Sequence, residues 1–274
     1  MLLLKMHWIS IMKDNYIFDE LRYAWKTRKV WTYTALARTR ARFARTKLGG
    51  FWLGISNLLC IAVLAAIYGV VFKVDDFNEY AVYLGLGLVC WNSIASCFSA
   101  APSLFEINSI QLLNTNTKHI FYTLEEWAFQ SQTFLQSFFL VLIGLSFFQY
   151  NLFFNLLKIG FLPLLNLFLF LYWFPIFIAI IGLRYKDFYQ LIPVVIQIVF
   201  LISPFLYKKE MLGKLSIITN FNPLYQIVSN IRDSLITGEL YLTKFSLILL
   251  INIIGTYLSI YILKKSRKIL PFLI

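Results

Sequence analysis

Acidic side chains are the residues of this sequence best able to do chemistry. An acyl- or glycosyltransferase embedded in a membrane would bring carboxylates or histidines together at one membrane face. All 13 acidic residues lie outside the long uncharged stretches, and two adjacent pairs, Asp75-Asp76 and Glu125-Glu126, flank such stretches as solvated ends would. The two histidines are far apart, and the three cysteines show no metal-binding spacing and no redox pair. We therefore assign no catalytic residue and no metal ligand, and keep a membrane-embedded transferase as an alternative.

The sequence also lacks a loop that could hold nucleotide phosphates. Such a loop needs the pattern Gly-x-x-x-x-Gly-Lys-Ser/Thr. The single Gly-Lys pair, Gly213-Lys214, is followed by Leu215 and has no glycine at the required offset before it. We therefore expect no cofactor in this chain, and the energy for any work it takes part in must come from elsewhere.

Long uncharged stretches indicate the fold class. The chain is 59% hydrophobic and 14% charged, whereas soluble domains carry about a quarter charged residues. A helix that crosses a membrane needs roughly 17 to 25 residues, and only helices or closed barrels satisfy the backbone there. The sequence therefore predicts an all-α membrane protein with six spanning helices. We expect a single membrane domain, residues 1–274, made of a cytoplasmic and interfacial arm (1–47), a six-span transmembrane part (48–263) and a cytoplasmic tail (264–274). The six uncharged stretches are 48–72, 80–105, 127–157, 159–183, 188–207 and 245–263.

The distribution of positive charge predicts the orientation. With six spans both termini lie on one side, and that side carries 18 of the 25 Lys and Arg residues. The positive-inside rule makes this side cytoplasmic, so we expect a multi-pass protein of the bacterial inner membrane with both termini in the cytoplasm. The net charge of +12 therefore mostly reflects the Lys and Arg residues that orient the chain in the membrane. We expect no nucleic-acid partner.

A basic and aromatic arm precedes the first span. Residues 21–47 contain nine Lys or Arg residues and no acid after Glu20, with Trp and Tyr interleaved. This composition is typical of a helix that lies in the membrane interface, with its cations on anionic lipid. The arm cations that we expect to contact membrane lipids are Arg38, Arg42, Arg45 and Lys47.

Two predicted spans are unusually polar. The second carries Asn92, Ser93, Ser96 and Ser99, and the third carries Gln130, Gln132 and Gln136. Polar side chains of this kind form hydrogen bonds between spans, or they line a polar conduit. The sequence leaves both interpretations open.

A short helix is predicted on the outer side, between the fifth and sixth spans. Asn222 fits the capping position, Pro223 the first helical position and Gly238 the C-terminal stop. The spacing predicts an apolar stripe and an outward-facing polar face, which makes the helix either a lid that only packs or a gate. The apolar stripe is Leu224, Ile227, Val228, Ile231 and Leu235, and the polar face is Gln226, Ser229, Asn230, Arg232 and Asp233.

The second half of the chain resembles the permeases of type-2 ABC exporters, and most closely the branch that exports O-antigen, capsule and teichoic-acid glycans. Leu48-Gly49 followed by Trp52, after a basic arm, is similar as well. The matching pieces in the second half are Arg184-Tyr185-Lys186-Asp187-Phe188, Leu191-Ile192-Pro193, Gln197, Ile202-Ser203-Pro204, Tyr207 and Asn222-Pro223-Leu224.

The resemblance implies a function without catalysis in this chain. Two copies of the permease would bind two ATPase subunits, which hold ATP and Mg²⁺, and would export a lipid-linked polysaccharide. A small lipophilic compound is the alternative cargo. The resemblance places the contacts with the ATPase on two cytoplasmic loops. The coupling residues are Arg184, Tyr185, Lys186 and Asp187 in one loop and Glu106, Asn108 and Gln111 in the other.

The resemblance also implies a glycan path along the first and fifth spans, because aromatic rings stack on sugar faces. The predicted lining residues are Trp52, Tyr68, Phe72, Trp91, Phe205 and Tyr207. The predicted outer gate is formed by Asn222, Pro223 and Tyr225.

Overall fold

The computed structural model describes residues 16–267 and Leu270, and that part of the chain contains helices and no strand. The predicted all-α fold is confirmed. Residues 1–15 of the arm and most of the predicted tail lie outside the described residues. In chain order the helices are α1 (Tyr16–Lys26), α2 (Arg28–Arg42), α3 (Phe51–Val71), α4 (Phe77–Ala100), α5 (Leu104–Ile107), α6 (Ser109–Asn114), α7 (His119–Leu145), α8 (Leu152–Asn155), α9 (Phe161–Arg184), α10 (Phe188–Ile202), α11 (Ser216–Phe221), α12 (Pro223–Thr237) and α13 (Leu242–Ser266).

Five helical segments of the described chain are long and apolar enough to cross a membrane, judged by length and composition. They match five of the six predicted spans, so the chain has the character of a multi-pass membrane protein. Two of them are extended: α4 continues through a 3₁₀ turn into α5, and α8 continues through a π-helical turn into α9.

The remaining predicted span, 188–207, is the fifth in chain order and is shorter than expected. Its helix, α10, has 15 residues and ends at Ile202, which is about 22 Å of helix against roughly 30 Å of hydrocarbon. Pro204 explains the early end, because a proline disfavours helical backbone in the residue before it. Ser203 accordingly adopts extended angles, φ −86° and ψ 139°.

The chain that follows α10 is not helical, yet its backbone carbonyls have partners on α4. Tyr80 Oη donates to the carbonyl of Leu206 at 2.5 Å, and Tyr83 Oη donates to that of Pro204 at 2.9 Å. Irregular backbone at membrane depth is tolerated where protein groups satisfy it in this way. We call residues 203–207 the break.

Helix α4 is the centre of the bundle. Within its most apolar window 72% of the residues are buried, compared with 17% for α3. Helices α3, α7, α10 and α12 all pack on it. The turn beyond α4 is held against α9 at close range, because a Cβ on Gly182 would lie 2.7 Å from Pro102 Cα. This contact fixes the start of the loop that contains α5 and α6.

The two ends of the bundle differ in which chain segments they carry. One end, called here the basic face, brings together the arm, the α5–α6 loop, the turn after α9 and the end of α13. Lys118 pairs with Glu20 of α1 there at 3.1 Å. The other end, called the opposite face, holds the break, α11 and α12, and Lys208 pairs there with Glu79 at 2.8 Å. The predicted grouping of the loops is therefore present in the fold.

Candidate functional site

The two predicted coupling loops meet at one carboxylate on the basic face. Glu106, in α5, accepts hydrogen bonds from Lys186 Nζ at 3.2 Å and from Tyr189 Oη at 2.5 Å. Arg184, Tyr185 and Asp187 are exposed around this junction. The α5–α6 loop is thereby joined to the N-terminal end of α10, as a transmitting contact would require.

The other two predicted coupling residues lie further along the same loop. Gln111 is exposed on α6. Asn108 instead turns inward, because its Nδ2 donates to the carbonyl of Leu104 at 2.7 Å. Asn108 therefore shapes the bend between α5 and α6.

An apolar patch on this loop is not among the predicted site residues. Ile107 and Ile110 are 73% and 74% exposed, and Leu113 is also exposed. Large apolar side chains grouped on a polar loop mark a protein interaction site more often than they mark a free surface. The signal was available as three apolar residues spaced three apart within an otherwise polar segment.

The six predicted lining residues fall in three separate places. Trp52 is exposed at the start of α3, near the basic face. Tyr68 and Phe72 stack at a centroid distance of 5.4 Å near the opposite face, where Tyr207 meets Phe72 edge-on at 6.5 Å. These three rings form one partly exposed cluster where α3 approaches the break.

The two remaining lining candidates are in the core. Phe205 is 0% exposed, and its ring lies 5.0 Å from that of Trp91, which is itself buried. Phe200 and Tyr225 complete the pocket around Phe205, at 5.7 and 5.9 Å. Neither Trp91 nor Phe205 reaches a surface of the protomer, so the geometry gives them an anchoring contact and not a lining contact.

The predicted ends of the outer helix are confirmed. Asn222 Oδ1 accepts from the backbone amides of Leu224 and Tyr225 at 3.1 and 3.3 Å, with Pro223 at the first turn. Gly238 closes the helix in the left-handed conformation, φ 71°. Asn222 Nδ2 also donates to Ser203 Oγ at 2.7 Å, which ties the start of α12 to the break.

The predicted outward polar face of this helix is wrong for three of its five residues. Ser229, Asn230 and Arg232 are at most 2% exposed, because α12 inserts among the other helices. Partners account for the burial of Arg232 and Ser229, whereas the Asn230 amide has no hydrogen-bond partner among the described residues. The Arg232 guanidinium lies 3.7 Å from the centre of the Tyr83 ring, and Ser229 Oγ accepts from Lys244 Nζ at 2.6 Å. Helical spacing shows which face is apolar, but it cannot show that polar partners cover the other face.

The arm contacts protein through one of its four predicted lipid-binding cations. Arg38 Nη1 pairs with Glu126 Oε2 at 2.6 Å, and its guanidinium lies 4.1 Å from the centre of the Phe129 ring. Glu126 was expected to be a solvated helix end, but the residue is buried. The sequence distance of 88 residues between these partners explains why the pair was not foreseen. Arg42, Arg45 and Lys47 are exposed.

Polar residues of the second and third predicted spans form hydrogen bonds with each other and with Glu126. Ser96 on α4 donates to Gln130 Oε1 on α7 at 3.1 Å, and Gln130 Nε2 donates to Glu126 Oε1 at 2.7 Å. Among the residues that the structure describes, no group of three or more His, Cys, Asp or Glu side chains is placed to hold a metal ion. The arrangement consists of polar contacts between helices, an exposed apolar patch on the α5–α6 loop and a buried ring contact at Phe205.

The chain is similar to the O-antigen export system permease protein RfbA of Klebsiella pneumoniae. The two sequences are 26% identical over 233 residues, which is 83% of this chain and 88% of RfbA. The sequence profile described as ABC-2 type transporter matches residues 32–236, from within α2 to the end of α12. Because that match spans well over half of the sequence, this chain belongs to the ABC-2 type transporter family.

Proposed function

We propose that this protein is the membrane subunit of an ATP-driven exporter that moves a lipid-linked polysaccharide, of O-antigen, capsule or teichoic-acid type, across the bacterial cytoplasmic membrane. The observation that carries the proposal is the length of the similarity to RfbA, which covers 83% of this chain and 88% of RfbA. In this proposal the basic face lies in the cytoplasm.

The energy comes from two copies of a separate ATPase subunit that binds ATP and Mg²⁺. Support comes from the patch of Ile107, Ile110 and Leu113, which exposes apolar surface beside the junction at Glu106. An apolar protrusion rimmed by charged residues is suited to insert into a groove of a partner. Closure of the ATPase subunits would then act on α10 through Lys186 and Tyr189.

A second copy of the chain completes the path. One face of α4 exposes Asn92, Ser96 and Ser99, which follow one another at helical spacing at membrane depth. Polar groups facing hydrocarbon are unfavourable, so a cover for this face is expected. A two-fold dimer, the commonest symmetry of homo-oligomers, would enclose such a polar strip between protomers.

Reconstitution with the ATPase tests the proposal. The chain is placed in proteoliposomes with a candidate ATPase subunit, and transfer of radiolabelled lipid-linked glycan is followed with and without ATP. Export should require both the ATPase and ATP. Export at full rate without either would contradict the proposal, as would ATP hydrolysis by this chain alone.

A small lipophilic cargo is the second candidate. It is favoured by a cavity of about 630 Å³ between α9 and α10, whose walls are almost wholly apolar and which extends from Phe188 to Pro223. The same proteoliposomes distinguish the two cargoes. Export of a lipophilic dye in place of the glycan would show that the cargo is a small lipophilic compound.

A further inference from the structure

A polar cavity lies between the first three spans. Its volume is about 150 Å³, roughly that of five water molecules in the liquid. Eight of its eleven lining residues are polar or charged, although the surrounding helices are strongly apolar. The lining residues are Arg42, Leu53, Asn57, Val89, Asn92, Ser93, Ser96, Gln130, Thr133, Phe134 and Ser137.

The cavity is at membrane depth and near the basic face. Asn57 is six residues from the start of α3, and Asn92 is eight residues from the end of α4. At 1.5 Å per residue these positions are about 9 and 12 Å inside the bundle. Arg42 stands exposed at the mouth, so the cavity is reached from the side that carries the arm.

Two asparagines form the centre of the cavity. Asn92 Nδ2 donates to Asn57 Oδ1 at 2.7 Å, and Asn57 Nδ2 donates to Ser137 Oγ at 2.6 Å. Within the described part of the chain no group donates to Asn92 Oδ1, and Asn92 is exposed. Its carbonyl oxygen is therefore free to accept a hydrogen bond from a molecule in the cavity.

A second asparagine pair in the same membrane domain shows what a purely structural arrangement looks like. Asn252 accepts from Trp173 Nε1 at 2.9 Å and donates to the carbonyl of Asn166 at 2.9 Å. Both asparagines are at most 1% exposed. Their amide groups are paired inside the protein, whereas Asn92 presents an amide to open space.

We propose that the cavity is a binding subsite for one sugar residue of the transported glycan, with the Asn57 and Asn92 amides as its main hydrogen-bonding groups. Sugar hydroxyls both donate and accept, and amide and hydroxyl side chains do the same. Phe134 supplies an apolar wall for a ring face, and Arg42 adds a cation at the mouth for acidic substituents. The proposal rests on the function proposed above and adds the residues that contact the sugar.

The first experiment compares matched substitutions in the two asparagine pairs. In cells that depend on this chain for glycan export, Asn92→Leu should lower export about tenfold, as expected for one to two lost hydrogen bonds. Its copurification with the ATPase should stay unchanged, and its melting temperature should fall only slightly, because it loses one hydrogen bond to Asn57. Asn252→Leu, the control, loses its contacts with Trp173 and Asn166 and should lower the melting temperature more. Unchanged export in the Asn92→Leu strain would overturn the subsite.

The second experiment keeps the proposal testable if Asn92→Leu fails to fold. In a variant without native cysteines, Ser96→Cys should react with a water-soluble maleimide, whereas Val63→Cys, exposed on α3, should not. Labelling of Ser96→Cys should slow at least threefold in cells that make the glycan, compared with cells blocked in its synthesis. Equal labelling in both strains would overturn the subsite.

Failure of the subsite and failure of the proposed function give different results. If a strain lacking this chain exports its glycan normally, the proposed function is wrong. If deletion abolishes export while Asn92→Leu exports at the native rate, the function stands and the subsite is wrong.

Discussion

The two ends of α10 are held in very different ways. At the opposite face the break is fixed to α4 by buried contacts: Tyr80 and Tyr83 bind its carbonyls, and Phe205 fills a pocket beside Trp91. At the basic face, the contacts of Lys186 and Tyr189 with Glu106 are exposed to solvent. Between the two ends, Ile196 is the single buried residue among those described in α10.

This difference gives the two ends of α10 different expected roles. The end at the break stabilises the fold, and the end at the basic face can transmit movement. Buried apolar contacts contribute several kcal/mol each, whereas exposed ion pairs contribute little. The opposite end of α10 should therefore move with α4 as one body. The basic end should be free to follow whatever presses on it, with the break as the point about which the helix turns.

The largest loss of stability should follow removal of the ring that fixes the break. Phe205→Ala empties a fully buried pocket, and we expect it to cost about 3 to 5 kcal/mol of folding free energy. The measurement is denaturation of the purified protein in detergent. Phe221→Ala is the control, because Phe221 is 83% exposed in the neighbouring helix. Equal losses in both variants would show that the break is not an anchor.

A smaller loss is expected from the cation that holds α12 against α4. Arg232→Met removes the contact with the Tyr83 ring and leaves Asp233 near Lys244, at 3.8 Å. We expect a loss of about 2 kcal/mol, the scale of a cation–π contact away from water. Arg184→Met, at an exposed arginine, should cost nothing measurable. A stability of Arg232→Met equal to that of the native protein would mean that the guanidinium does not secure α12.

Some of this organisation could be predicted from the sequence. Five spans follow from uncharged length alone, because a membrane excludes charge over a fixed thickness. The cap at Asn222 and the stop at Gly238 were also predictable, since helix ends depend on local chemistry. The coupling residues came from the resemblance, and the fold places Glu106 against Lys186, although their role stays a prediction.

The rest depends on contacts between distant segments. The burial of Arg232 needs a ring on α4, and the burial of Glu126 needs an arginine on the arm. Helical spacing shows that such residues are polar, but not what they meet. Pro204 alone predicts the early end of α10. The sequence does not show that tyrosines on another helix satisfy the carbonyls that this end leaves free in the membrane.

The smallest effect on stability, and the sharpest test of the comparison, is expected at the basic end. The chain carries two exposed ion pairs of the same chemistry, Lys186 with Glu106 on the basic face and Lys208 with Glu79 on the opposite face. Lys186→Ala and Lys208→Ala should both leave the melting temperature unchanged. Only Lys186→Ala should lower glycan export per ATP hydrolysed, since it alone weakens the link between the α5–α6 loop and α10.

That result would show that the Lys186 pair transmits movement and that the Lys208 pair does not, because the two variants remove the same charge from the same kind of pair. The measurement is the ratio of glycan exported to ATP hydrolysed in proteoliposomes that contain the chain and its ATPase. A double variant with Tyr189→Phe should lower the ratio further, since Tyr189 is the second donor to Glu106. If Lys208→Ala lowers the ratio as much as Lys186→Ala does, force does not enter α10 at its basic end, and the contrast between its two ends has no mechanical meaning.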